Sequence, residues 1–251
     1  QRKYYFPIFI FIFSLNFIFR NKFIQFMIRF RKRVDFVIEL SSSSVKLFDR
    51  SGINNVTYRT KTSDLVYNKV ISIDDYKKFI LPYIKSCLDI IKSSNYIIIA
   101  TALYRNLKNS EEIIKLIENE VGQEVNIISG EEESRLVSLA VKKEYPELKR
   151  ILIIDAGFNS TELGLIPENI FISLPVGFDK PGYIQLGEVF HKLKDDKDLI
   201  LVVTGKRIQK MGYIKDPVNA LKSHTILQRI LKIIGNHPVV GTKASPGLGC
   251  F

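Results

Sequence analysis

The chain has 251 residues, 46% hydrophobic and 25% charged, which excludes wholesale disorder and allows one large domain or two small ones. Two cysteines, Cys87 and Cys250, exclude a disulfide framework and a thiolate zinc site, and the three histidines, His191, His224 and His237, show no ligand spacing. The net charge of +11 is concentrated at one end: residues 1–33 hold eight of the 37 basic residues and no acid, which leaves 29 bases against 26 acids. A nearly neutral remainder argues against a nucleic-acid partner, which requires a basic stripe on the folded surface. The sparse cysteines fit a reducing, cytoplasmic compartment.

The first segment is unusual. Tyr4 to Phe19 reads YYFPIFIFIFSLNFIF, apolar and uncharged. It is shorter than the roughly 20 residues of a membrane span. The first Met is Met27, just before the ordinary domain sequence. Residues 1–33 are therefore expected to be a basic and apolar extension, of which residues 1–26 lie outside the functional protein. Membrane anchoring through residues 4–19 is the alternative.

An internal repeat organises the rest of the chain. DFVIELSSSSVKLFDRSGINNVTY from Asp35 resembles RILIIDAGFNSTELGLIPENIFIS from Arg150. At an offset of 116, Glu39 falls on Asp155, Ser44 on Ser160 and Leu47 on Leu163. Each copy reads as strand, turn, strand, turn, strand. Between the copies, Ile73 to Ile91 has helical spacing and NYIIIATAL reads as a buried strand. Asn109 and Glu112 predict a capping box for a helix that stops at Gly122. EVNIIS is a short strand. Ser129 and Glu132 repeat the capping spacing and put Glu131, Glu132 and Glu133 in the first turn of a helix to about Lys143. After the second copy, LILVVTG is a strand, Ile226 to Ile234 a helix, and GTKASPGLGCF a tail. The expected domains are residues 34–134, a shortened second domain over 135–240, and a tail over 241–251.

Small, polar turns after buried strands expose backbone N–H groups that can receive an anion, and an acid at the strand end can hold a divalent cation. The second copy has Asp155, Gly157, Ser160, Thr161 and Glu162; the first has Glu39, then Ser42, Ser43 and Ser44 behind Ser41. Two such turns facing each other would grip a polyanion.

Several further motifs, in order, carry a resemblance. ATALYRNLKN from Ala100, IISGEEESRL, IIDAGFNSTE and SLPVG at Ser173 resemble motifs of the exopolyphosphatase / guanosine pentaphosphate phosphatase (Ppx/GppA) family, within the actin-like ATPase superfamily that includes sugar kinases and Hsp70. The resemblance covers about Asp35 to Gly177. It implies an α/β fold of two ribonuclease H-like (actin-like ATPase) domains, with mixed sheets, flanking helices and a cleft between them. It also implies Mg²⁺-dependent hydrolysis of terminal phosphoanhydride bonds of inorganic polyphosphate or guanosine pentaphosphate. Glu133 matches the general base and Arg105 a phosphate-binding arginine. Asp155, Glu162 and Glu39 match metal-binding acids. Ser42, Ser43, Ser44, Gly157, Ser160 and Thr161 match the phosphate-binding turns. A homodimer is compatible with the family.

The chain departs from the family pattern in the turns: Ser41 stands for a glycine, Phe158 and Asn159 replace two more, and Lys206 and Arg207 occupy a later glycine-rich loop. These departures raise the alternative of a catalytically impaired sensor or scaffold that binds phosphate or nucleotide. An ATP-using kinase of the same superfamily is disfavoured by GEEESRL.

Overall fold

The computed structural model describes residues 34–49, 56–92, 95–177, 182, 184–204, 225–235 and 237–241. The expectations for residues 1–33, for the tail, and for Lys206 and Arg207 lie outside them.

The first repeat copy forms the predicted meander: β1 (Phe36–Leu40), β2 (Ser44–Asp49) and β3 (Val56–Arg59). Two helices come next, α1 (Ile73–Phe79) and α2 (Leu81–Ile91), where one continuous helix is expected from spacing. Pro82 lies in the first turn of α2, a place it tolerates only at a helix start, so the chain breaks at Ile80. Then come β4 (Tyr96–Ala100), α3 (Ala102–Asn106), α4 (Ser110–Val121), β5 (Val125–Ile127) and α5 (Gly130–Glu144). Strand order is β3-β2-β1-β4-β5, antiparallel through the meander and parallel at β4 and β5. Ile38, Leu40, Val45, Leu47, Ile98 and Ala100 pack with Tyr76, Ile84, Cys87, Ile113 and Ile117 of the helices. The alternate residues, Glu39 and Lys46 among them, belong to the opposite face.

The second copy repeats the design with β6 (Ile151–Ala156), β7 (Thr161–Ile166) and β8 (Ile170–Leu174). The short helix α6 (Glu188–His191), β9 (Ile200–Thr204), α7 (Thr225–Ile234) and β10 (Val239–Gly241) complete it. The order β10-β9-β6-β7-β8 is the first sheet's order read from the other end, with β6, β7, β8, β9 and β10 in the places of β1, β2, β3, β4 and β5. Leu152, Ile154, Leu163, Leu165, Leu201 and Val203 pack against Phe190, Leu227, Ile230 and Ile234. The fold is thus two mixed five-stranded sheets with flanking helices, each built like ribonuclease H. No helix among the described residues is long and apolar enough to cross a membrane.

The helix α5 comes after the first sheet in sequence but lies on β7 and β8 of the second. Ser129 caps it as expected, its hydroxyl accepting the Glu132 N–H at 3.0 Å. A seam of small residues seats it. Ser134 Oγ donates to the Leu163 carbonyl at 2.6 Å, and Ser138 Oγ donates to Ser134 O at 2.8 Å. A methyl group on Gly164 would lie 1.8 Å from Ser138 Oγ, and one on Gly130 2.3 Å from Ser173 Cβ. Asn109 departs from the predicted capping box. Its side-chain amide accepts the Ile71 N–H (3.2 Å) and donates to the Ile71 carbonyl (2.8 Å), clasping the segment before α1.

The seam yields a stability test. Gly164→Ala is expected to cost about 1–3 kcal/mol by overpacking, measured by urea unfolding. Ser138→Ala in the same chain should recover part of the loss, because the nearest clashing atom is then gone.

Candidate active site

Glu39 and Asp155 each stand one residue before the end of the central strand of their sheet, as the repeat requires. Their cross-strand partners differ. Glu39 pairs with Lys46, whereas Asp155 pairs with Glu162 on one side and with Thr204 on the other. The first sheet therefore presents an acid beside a base, and the second presents two acids and a hydroxyl. Lys46 Nζ makes an ion pair with Glu39 Oε1. Glu162 is buried and accepts the Ser173 hydroxyl at 2.9 Å.

The turns after these strands close in the same way. Ser41 N donates to Ser44 O, and Gly157 N donates to Ser160 O, each at 3.0 Å. A methyl group on Gly157 would sit 2.9 Å from Ser160 O, so this turn needs its glycine. In the first turn, the carbonyls of Ser42 and Ser43 are taken from behind by the amides of Ser63, Thr60 and Lys61. Ser44 Oγ lies 3.0 Å from Ser41 Oγ, and Thr161 Oγ1 donates to Val176 O at 2.9 Å. The Ser44 hydroxyl thus braces its own turn, whereas the Thr161 hydroxyl ties the start of β7 to the segment after β8. The Phe158 carbonyl packs on Gly177, where a Cβ would meet it at 2.3 Å.

Arg105 comes from α3, which starts directly after β4. Its neighbour Tyr104 is fully buried and shares a 2.8 Å hydroxyl contact with Tyr76. Arg105 Nη1 donates to the Ile128 carbonyl (2.8 Å) and to Glu133 Oε2 (3.0 Å). Of the three consecutive acids, Glu131 is exposed and Glu132 is held bidentately by Arg135, both contacts 2.7 Å. Only Glu133 turns to the cluster.

Electrostatics join these groups across the two sheets. Burial pushes Glu133 up to about 7, against the charge and hydrogen bond of Arg105, with Glu39 and Asp155 adding to the rise. Asp155 is pushed up to about 6 by burial, opposed by Lys46 and reinforced by Glu39. Burial likewise raises Glu162 well above the usual carboxylate range, with Glu133 and Asp155 adding their repulsion. Glu39, Glu133, Asp155 and Glu162 therefore form one interacting set. Lys46 and Thr204 were not among the expected residues. Lys46 was legible as the counterpart of Glu162 at the same offset of 116; Thr204 carried no signal beyond ending the strand LILVVT.

The donor types suit a hard cation such as Mg²⁺, being carboxylate oxygens only. Among the described residues, no three Asp, Glu, His or Cys side chains stand together as a ready-made ligand set. Thr204 Oγ1 adds an orphan: it is buried, without a hydrogen-bond partner among the described residues, on the strand beside Asp155.

Two outcomes are expected without metal or substrate. Thr204→Val should stabilise the protein by about 1 kcal/mol in urea unfolding, since it removes an unsatisfied buried hydroxyl at equal volume. Stability should also fall as pH rises. Glu133 and Asp155 bind protons more tightly when folded than their ordinary values of 4.5 and 3.8, so the folded state holds more protons between about pH 4 and 7. Their contribution is intact below that window and lost above it. Thermal melts across the window should show the decline, and Asp155→Asn should flatten it.

Residues 71–180 match the Ppx/GppA phosphatase family. Exopolyphosphatase 1 of Mycobacterium tuberculosis (strain ATCC 25618 / H37Rv) and of Mycobacterium bovis are each 40% identical over 82 residues, 31% of this chain and 24% of theirs. The match thus spans about a quarter of the length of these curated relatives. The Aquifex aeolicus Ppx/GppA phosphatase superposes with a TM-score of 0.61 at 20% identity, over 85% of this chain and 96% of that one. An exopolyphosphatase from Cytophaga hutchinsonii gives 0.55 at 18% identity, over 76% and 73%. Over residues 71–180 the chain is thus similar in sequence to the Ppx/GppA phosphatases, and its fold is like that of their solved structures.

Proposed function

We propose that the chain hydrolyses terminal phosphoanhydride bonds of inorganic polyphosphate or guanosine pentaphosphate, with Glu133 as the general base. The observation that carries this reading is Glu133 itself: a partly buried carboxylate whose proton affinity is set near neutrality, beside a fixed arginine and among acids from both sheets. A base poised near the working pH combines a useful deprotonated fraction with a useful driving force for taking a proton.

In this reading Glu133 takes the proton of the attacking water at a carboxylate oxygen. Arg105 uses one nitrogen to orient Glu133, and its other N–H donors are available to a phosphate oxygen, where its permanent charge opposes the charge of the transferring group. The Ser42–Ser43 and Gly157–Ser160 turns offer backbone and hydroxyl donors to the polyanion from both sheets. Asp155 and Glu162 would hold Mg²⁺, whose positive charge would lower the cost of the negative charge that develops on the phosphate. Glu162 is kept in place by Ser173. The activity and its substrates are read from the named relatives and this geometry, and a cytoplasmic place of action and a homodimer belong to the same proposal.

The impaired sensor or scaffold is favoured by one observation: Phe158 and Asn159 occupy a turn whose glycines would otherwise leave room for phosphate. Phosphate release from polyphosphate with Mg²⁺ separates the two. Wild type is expected to release phosphate and Glu133→Ala to lose about 10²- to 10⁴-fold. Because the base acts deprotonated, kcat/KM should rise about tenfold per pH unit below about 7 and level off above it. No release from wild type, with polyphosphate still bound, would establish the binding role instead.

A further inference from the structure

The internal repeat has an electrostatic asymmetry. Position 162, opposite Asp155 in the second sheet, is an acid; its counterpart opposite Glu39 in the first is Lys46. Glu39 is 5% exposed, and a buried carboxylate at a cation-binding position needs a positive partner. It already has one in the ion pair with Lys46. The Lys46 side chain is itself only 17% exposed, so the pair is shielded from water and less screened than a surface pair. Its charge reaches across to the second sheet, where it opposes the raised proton affinity of Asp155. An ammonium has three donors; one meets Glu39, and no other hydrogen-bond partner of Lys46 occurs among the described residues.

We propose that Lys46, not a metal ion, is the cation that Glu39 holds, so that the first sheet brings a permanent positive charge of its own to the bound polyanion. This rests on the reading of the site as one that binds phosphoanhydrides. Glu39, implied by resemblance to be a metal-binding acid, then serves as a positioning residue for Lys46. Any divalent ion is left to the Asp155 side.

Two binding measurements without turnover test this. The first titrates Mn²⁺, followed by electron paramagnetic resonance. Lys46→Met is expected to bind Mn²⁺ at least tenfold more tightly than wild type, because Glu39 is freed, and Glu39→Gln in the Lys46→Met chain should abolish the gain. An affinity for Lys46→Met within twofold of wild type overturns the proposal. The second follows inorganic tripolyphosphate by calorimetry in EDTA. Wild type and Lys46→Arg should bind alike, with Lys46→Met at least tenfold weaker; equal binding by Lys46→Met, or none by wild type, would also overturn it. Should Lys46→Met fail to fold, Lys46→Arg decides: it keeps the charge and must match wild type in both titrations. Neither readout needs hydrolysis, so loss of the catalytic reading through Glu133→Ala would be seen separately.

Discussion

The organising constraint is the confinement of four carboxylates, Glu39, Glu133, Asp155 and Glu162, with two cationic side chains, Lys46 and Arg105. Taking like charges out of water together is costly, and the cost appears as raised proton affinity on Glu133, Asp155 and Glu162. A fold does not assemble such a cluster for its stability. The same stretch of chain could be stabilised by apolar residues, and the orphaned Thr204 hydroxyl beside Asp155 points the same way. Stability given up at one place, inside two well-packed cores, is characteristic of a site shaped for a charged visitor.

The two sheets divide the work. Each buries one face in an aliphatic core under its helices and reserves the other for polar groups at the strand ends. The first contributes Glu39, Lys46 and, through α3, Arg105. The second contributes Asp155, Glu162 and Thr204, and carries α5 with Glu133. Glu133 comes from the connecting segment but is fixed by the partner sheet, and Arg105 reaches it from the other side at 3.0 Å. Glu133, the proposed general base, therefore sits where groups from the two halves meet, bonded to Arg105.

Much of this is legible in the residues alone. The offset of 116 anticipates both meanders and the matching turns, because period-two alternation and turn residues are local properties of the chain. Ser129 is recognisable as a cap for the same reason. What escapes is non-local. Nothing in Ile73–Ile91 marks Ile80 as a break except Pro82, and proline is tolerated in a first turn. Asn109 has the sequence of a cap, yet spends its amide on Ile71, 38 residues away. The pairing of Lys46 with Glu39 depends on strand register, and the packing of α5 on the second sheet depends on which face was left uncovered.

The seam under α5 has an effect on how the chain can drift. Gly130, Gly164, Ser134 and Ser138 leave no room for added bulk, and a shift there would displace Glu133. The side chains of Ser41 and Phe158 are only partly buried, and theirs are the turns where glycines have given way to larger residues. Substitutions can therefore accumulate in these two turns without moving the helix, so the grip proposed for them can erode while the placement of Glu133 stays intact.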